Sequence, residues 1–150
     1  MNILITGAKG FIGKNLIAEL NNIKEGKAKG YHVNPELTLF EYDIDTDSSL
    51  LDGYCKEAEF VFHLAGVNRP KEQSEFMEGN FGFTSLLLDT LKKHDNNCPV
   101  MISSSIQAEL DNPYGVSKKA GEDILLEYGR ETGTDVLIYR FPNVFGKWCR

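Results

Sequence analysis

The sequence predicts an α/β domain with a Rossmann-like, doubly wound parallel sheet. Three observations predict it. Five short apolar runs show little alternation, longer amphipathic stretches separate them, and a glycine-rich loop follows the first run directly. Strands covered by helices on both faces read as near-continuous apolar runs. At 150 residues the chain can form one domain with a real core and is too short for two ordinary ones.

The first strand is expected over residues 2–6. A helix over 11–22 then places Ile12, Leu16, Ile17 and Leu20 on one stripe. The polar stretch 21–34, with Lys24, Glu25, Lys27 and Lys29, either extends that helix or forms a solvated loop. A strand over 37–43 follows, then a helix over 48–57 with Asp47-Ser48-Ser49 as its start signal. The third strand spans 60–63, and a helix over 80–94 carries Leu86, Leu87, Leu88 and Leu91. The fourth strand spans 99–103. The last helix opens at Asn112-Pro113, with Asn as cap and Pro at the first helical position, and runs to about Arg130. The fifth strand, 136–141, leaves a sheet edge open to pairing.

Composition narrows the function classes. A net charge of -6 speaks against a nucleic-acid partner, which would require a basic face. No apolar run approaches the ~20 residues needed to span a bilayer, and the N-terminus lacks the features of a signal peptide. Cys55, Cys98 and Cys149 are odd in number and have no metal-ligand spacing, which fits a reduced, cytoplasmic setting. Cys98 reads as a small core residue.

The loop Thr6-Gly7-Ala8-Lys9-Gly10-Phe11-Ile12-Gly13 sits where a strand ends and a helix begins. Gly7 permits a tight turn, Gly10 a close approach to a pyrophosphate, and Gly13 close packing of the helix on the sheet. Unpaired N–H groups and the helix dipole there favour negative charge. Residues Gly7, Lys9, Gly10, Phe11, Ile12 and Gly13 are therefore assigned to a dinucleotide; the bland alternative is a glycine-rich turn. Lys9 can reach the 2′-phosphate of NADP, or can be a solvated surface lysine. Asp43 at the end of the second strand can accept the ribose 2′-OH of NAD and repel that phosphate. It follows Gly13 by thirty residues rather than ~20, which leaves open a later strand beside the adenine.

Tyr114 and Lys118, at i and i+4, share one helix face. A phenol of pKa ~10 is a poor acid near neutrality, and a neighbouring ammonium is expected to lower that value. Tyr114 then becomes a general acid–base. Ser105, at the exit of the fourth strand, is placed to hydrogen-bond the oxygen whose charge changes as hydride moves. Ser104 is the alternative, and strand alternation puts the two on opposite faces. Both the serines and the glycine loop lie beyond the carboxyl ends of strands, where parallel sheets bind ligands. The competing reading is packing alone, with Lys118 snorkelling.

With His63-Leu64-Ala65-Gly66, Asn80 and Thr84, Ser103-Ser104-Ser105 and Arg140-Phe141-Pro142-Asn143-Val144-Phe145-Gly146, these elements resemble an extended short-chain dehydrogenase/reductase. This is the epimerase/dehydratase superfamily that acts on nucleotide sugars. The runs His63 to Pro70, Ser103 to Ala108, Asp111 to Gly115 and Phe145 to Cys149 are similar to one branch. Its members are the N-terminal reductase parts of bifunctional capsular-polysaccharide enzymes of UDP-N-acetyl-L-fucosamine precursor synthesis, which carry a C-terminal cupin.

The resemblance implies NADPH-dependent reduction of a 4-keto UDP-sugar in capsular or surface polysaccharide synthesis, with NAD(H) as the second cofactor. It implies Tyr114 as proton donor, Lys118 on the nicotinamide ribose and Ser105 orienting the keto oxygen. Leu64, Ala65 and Gly66 would line the cofactor site, Asn143 would contact the sugar nucleotide, and Asn80 would be structural. Asp43 and Asp45 are more acidic than the branch is near the adenosine ribose. Family members continue for well over a hundred further residues. The chain is accordingly expected to be the dinucleotide-binding N-terminal portion of a longer enzyme, without a second domain of its own. A homodimer is a further expectation by resemblance. Two alternatives are a nucleotide-sugar 4-epimerase sharing Ser105, Tyr114 and Lys118, and a non-catalytic dinucleotide sensor. A 4,6-dehydratase would want a carboxylate pair where this chain has Ile106 and Gln107.

Overall fold

All five apolar runs pair with one another, and every pairing is parallel. The structure, a computed structural model, describes residues 1–28, 30–32 and 34–149. Strands β1 (Asn2–Thr6), β2 (Thr38–Tyr42), β3 (Phe60–His63), β4 (Val100–Ser105) and β5 (Val136–Phe141) lie in the order β2-β1-β3-β4-β5. Parallel neighbours need long crossovers, and the helices supply them. These are α1 (Phe11–Lys24), α2 (Ser49–Glu57), α3 (Ser74–Met77), α4 (Phe83–Lys93) and α5 (Pro113–Thr132).

Side chains alternate across the sheet, so β1, β2 and β3 feed a core on each face. On one face Ile3 and Ile5 pack with Leu20 and Ile23 of α1 and with Leu37. On the other, Leu4, Val61, Val100 and Ile102 meet Leu51 and Cys55 of α2, Leu87, Leu88 and Leu91 of α4, and Leu125 and Tyr128 of α5. Each fully buried side chain of this size is worth roughly 1.5–3 kcal/mol in removal from water. Cys98 belongs to the second core, as expected, and burial pushes its thiol up to about 11 and that of Cys55 to about 12.

The chain passes from β1 outward to β2 with α1 on one face, then returns across β1 to β3 with α2 on the other. The strand order therefore reverses between β1 and β3. Their carboxyl ends flank the crevice in which open α/β sheets bind ligands.

Several boundaries differ from expectation. Helix α1 runs to Lys24 and stops just before Gly26, which has φ 67°. Within 21–34, Lys29 and Val33 lie outside the described residues. Strand β4 continues through Ser105 because Ser104 and Ser105 stay in register with Arg140 and Phe141 of β5. The helix expected from Asn80 is preceded by α3 and a π turn, Glu78–Gly82. There the Thr84 hydroxyl donates to the Asn80 carbonyl at 2.6 Å, and the Asn80 side chain is drawn out of the helix toward other partners. Helix α5 starts as read: Asn112 Oδ1 accepts the Gly115 N–H at 2.8 Å, and Gly133 closes the helix at φ 72°.

Strand β5 forms one edge of the sheet, as anticipated, and exposes Leu137 and Tyr139. Among the described residues no helix is long and apolar enough to cross a membrane.

Candidate active site

The glycine loop is shaped by close approaches that only glycine permits. Gly7 has φ 70°, a region L side chains rarely adopt, and a Cβ there would lie 2.6 Å from the Ala65 nitrogen. A Cβ on Gly13 would lie 2.2 Å from the Gly7 carbonyl oxygen, so α1 rests directly on the loop. Gly10 precedes α1 as its cap residue with no side-chain cap, and no acidic residue occupies the first turn. The N–H groups of that turn are thus left for an anion, and the helix dipole adds to their pull. This is the cradle a pyrophosphate needs, with Phe11 and Ile12 half-buried at its start.

Asp43 directly follows β2, and β2 pairs with β1, so the later-strand alternative is ruled out. Asp43 Oδ2 accepts the backbone N–H of Lys9 at 2.7 Å, and Oδ1 accepts that of Ile44 at 2.8 Å. The Lys9 ammonium turns to Asp45 Oδ2 at 2.5 Å, and hydrogen bonding to that carboxylate raises its pKa. Two carboxylates therefore stand beside the loop where the position of Lys9 suggested a cation for a 2′-phosphate.

Leu64, Ala65 and Gly66 leave β3 beside Gly7. The Leu64 N–H donates to the Thr6 carbonyl at 3.1 Å and the Ala65 N–H to Thr6 Oγ1 at 3.3 Å. Beneath them lies His63, 1% exposed. The single Thr84 proton goes to the Asn80 carbonyl, so Thr84 Oγ1 accepts from His63 Nε2–H at 2.8 Å. Nδ1 then accepts from the Thr6 hydroxyl at 2.7 Å. Burial and, secondarily, the charge of Lys118 hold the imidazole down to about 3, so it stays neutral. Asn80 joins the loop to the last helix. Its Oδ1 accepts the Val67 N–H at 2.8 Å, and its Nδ2 donates to the Val67 carbonyl at 3.0 Å and to Ser117 Oγ at 2.9 Å. The expected structural role of Asn80 is thus a specific one, tying the cofactor side to α5.

Ser105, Tyr114 and Lys118 meet at the same end of the sheet. Ser105 is buried at the tip of β4, its Oγ accepts the Gln107 N–H at 3.2 Å, and it stands near enough to the Tyr114 phenol to pull the phenol's pKa downward. Tyr114 is half-buried, with its ring 5.6 Å from that of Phe76. Lys118 is 7% exposed, and its Nζ packs on Gly66, 3.5 Å from where a Cβ would sit there. Ser104 points to the opposite side and donates to Glu122 Oε1 at 2.5 Å, which leaves Ser105 as the serine at the phenol.

One expectation is corrected. The Tyr114 pKa is raised, not lowered: burial pushes it up, and Ser105 offsets only part of that. The Lys118 ammonium lies against Gly66, and its own pKa falls to about 8 because it is buried, with Glu122 pulling back upward. Asn143 is exposed just after β5. Sequence reasoning missed Glu122 and its pairing with Arg140, which was noted only as the first residue of the run Arg140 to Gly146; the two come from separate elements.

Known proteins share this fold. Residues 3–150 match the NAD dependent epimerase/dehydratase family. The chain is 41% identical over its whole length to UDP-2-acetamido-2,6-beta-L-arabino-hexul-4-ose reductase of Pseudomonas aeruginosa, of which it covers 37%. It superposes on the capsular polysaccharide assembling protein CapF of Staphylococcus aureus with TM-score 0.81 and 45% identity, covering all of this chain and 38% of that one. RMD of Pseudomonas aeruginosa, complexed with NADPH, gives TM-score 0.71 at 25% identity, covering 95% of this chain and 54% of that one. The chain thus spans well under half of the first two relatives.

Proposed function

We propose, for a chain that belongs to the NAD dependent epimerase/dehydratase family, that it is the dinucleotide-binding part of a longer enzyme. That enzyme reduces a 4-keto UDP-sugar in capsular or surface polysaccharide synthesis. The observation that carries the reading is the convergence of Ser105, Tyr114 and Lys118 at strand ends beside the glycine cradle. The likeness to a 4-keto sugar nucleotide reductase supports the substrate class.

Gly7, Gly10, Phe11, Ile12 and Gly13 would hold the pyrophosphate, Leu64, Ala65 and Gly66 the nicotinamide half, and Asp43 the adenosine ribose. A nicotinamide dinucleotide bound there supplies the hydride. Of the two dinucleotides the loop favours NAD(H), reversing the preference drawn from the resemblance. A 2′-phosphate would meet Asp43 and Asp45, and the Lys9 ammonium is already paired.

Tyr114 gives its phenolic proton to the keto oxygen as that oxygen gains charge, and a phenol of raised pKa is held in the donor form. Ser105 orients the same oxygen from the tip of β4. Lys118, with a pKa of about 8, stays largely cationic at neutral pH beside Gly66, where it would bind the nicotinamide ribose. Asn143 contacts the sugar nucleotide once the rest of the pocket is present. The test is loss of nicotinamide absorbance when the intact protein meets NADH and a UDP-linked 4-keto sugar. Dinucleotide binding without turnover of any such sugar would refute the reading.

A further inference from the structure

Glu122 lies on α5 one helical turn past Lys118 and is 2% exposed. Its Oε1 accepts from Ser104 Oγ at 2.5 Å and Arg140 Nε at 2.8 Å, and its Oε2 from Arg140 Nη2 at 2.7 Å. Ser104 and Arg140 are register partners on β4 and β5. One carboxylate therefore clamps two strand ends to the helix. The third Arg140 arm, Nη1, donates to Glu109 Oε1 at 2.6 Å. Glu109 ends the 3₁₀ turn Ile106–Glu109 that starts directly after Ser105. The same turn is pressed onto the start of α5, where a Cβ on Gly115 would lie 2.2 Å from the Gln107 carbonyl oxygen.

The clamp touches the elements that carry the three proposed catalytic residues: the strand end and turn around Ser105, and the helix with Tyr114 and Lys118. Glu122 is buried while the Arg140 side chain stays 33% exposed, and an ion pair of this kind contributes little net stability compared with a well-packed apolar pair, so stability alone is a weak reason for its position. A bidentate Arg–carboxylate fork does fix geometry closely.

We propose that Glu122, anchored by Arg140, is a positioning residue that holds Ser105 against Tyr114 and supplies the counter-charge behind Lys118. The proposal rests on the reading of Tyr114 as proton donor. Burial alone would push the Glu122 carboxyl up, but its bonds to Arg140 and Ser104 hold it below its ordinary value. Around Lys118 the titratable groups are His63 on β3 and Glu122 on its own helix. Around Glu122 they are Arg140 on β5 and Lys119 on α5, with Glu109 behind Arg140.

Two variants of the intact protein separate the roles. Glu122→Gln keeps the shape and removes the charge; Arg140→Lys keeps a charge and loses the fork. Amine reactivity of Lys118 against pH, read by mass spectrometry without cofactor or substrate, reports the counter-charge. Lys118 is expected to titrate at lower pH in Glu122→Gln than in the wild type, and unchanged titration would overturn the counter-charge role. In both variants kcat is expected to fall ~10- to 100-fold, as small misplacements of reacting groups do. Dinucleotide Kd should stay within about twofold in each. Unchanged kcat in Arg140→Lys overturns the positioning role, and that variant carries the kinetic test alone if Glu122→Gln does not fold. A wild type that turns over no 4-keto UDP-sugar sinks the reductase reading separately, and the Lys118 titration still decides the part played by Glu122.

Discussion

Removing the buried cation of the site should stabilise the cofactor-free protein while abolishing its chemistry. Lys118 is 7% exposed, and its pKa falls from 10.5 to about 8, mainly by burial. The folded state therefore binds its proton less tightly than the unfolded chain does. Below pH ~8 both states are protonated and the full penalty applies. At 1.36 kcal/mol per pH unit, that depression corresponds to about 3 kcal/mol. Between pH ~8 and ~10.5 the folded state alone gives up the proton, so the penalty shrinks as pH rises. Lys118→Met keeps the length of the stem without the charge. It is expected to gain roughly 1–3 kcal/mol at pH 7, or several degrees in Tm for a chain of this size. The gain should fade as the pH approaches ~10.5. Thermal unfolding of the intact wild type and variant at three pH values across this window measures it. A variant less stable than wild type at pH 7, or a gain independent of pH, would refute the reasoning.

The glycine geometry gives a pair of opposite effects from one substitution. Gly13→Ala puts a methyl 2.2 Å from the Gly7 carbonyl and should cost about 1–3 kcal/mol, with dinucleotide affinity falling at least tenfold in a fluorescence titration. Gly53→Ala, on α2 with nothing within 4 Å, should instead stabilise by about 0.5–1 kcal/mol in denaturant unfolding. Tyr114→Phe is expected to abolish turnover and leave dinucleotide Kd almost unchanged; ordinary activity would refute the proton-donor role. Asp43→Ala should raise affinity for NADP relative to NAD, read as the ratio of the two Kd values. An unchanged ratio would mean that Asp43 does not face the adenosine ribose.

Much of the fold was legible because buried parallel strands leave a simple trace. The runs around Leu4, Val61 and Ile102 are apolar without alternation, and the cap at Asn112-Pro113 marks a helix start by side-chain chemistry alone. The segment before α4 was not legible: Glu72 to Gly79 has no apolar period, and its π turn depends on Asn80 finding Val67 and Ser117 far along the chain. The placement of Ser105, Tyr114 and Lys118 followed from spacing and strand ends. The direction of the Tyr114 pKa did not, since it turns on burial and on where the Lys118 amine packs. Asp43 was ambiguous because a spacing rule had to stand in for the strand order, and the pairing of β1 with β2 removes the ambiguity. The Glu122–Arg140 clamp joins residues from a helix and a strand, and no local pattern encodes it.

The account turns on hydride reaching a sugar carbonyl at the mouth of this sheet while Tyr114 protonates its oxygen. Incubating the intact protein with NADH deuterated at the transferred position and a UDP-linked 4-keto sugar, then weighing the product, tests this directly. One deuterium on the former carbonyl carbon, and no such product from Tyr114→Phe, is the predicted result. A product without deuterium, or equal labelling by the Tyr114→Phe variant, would contradict it.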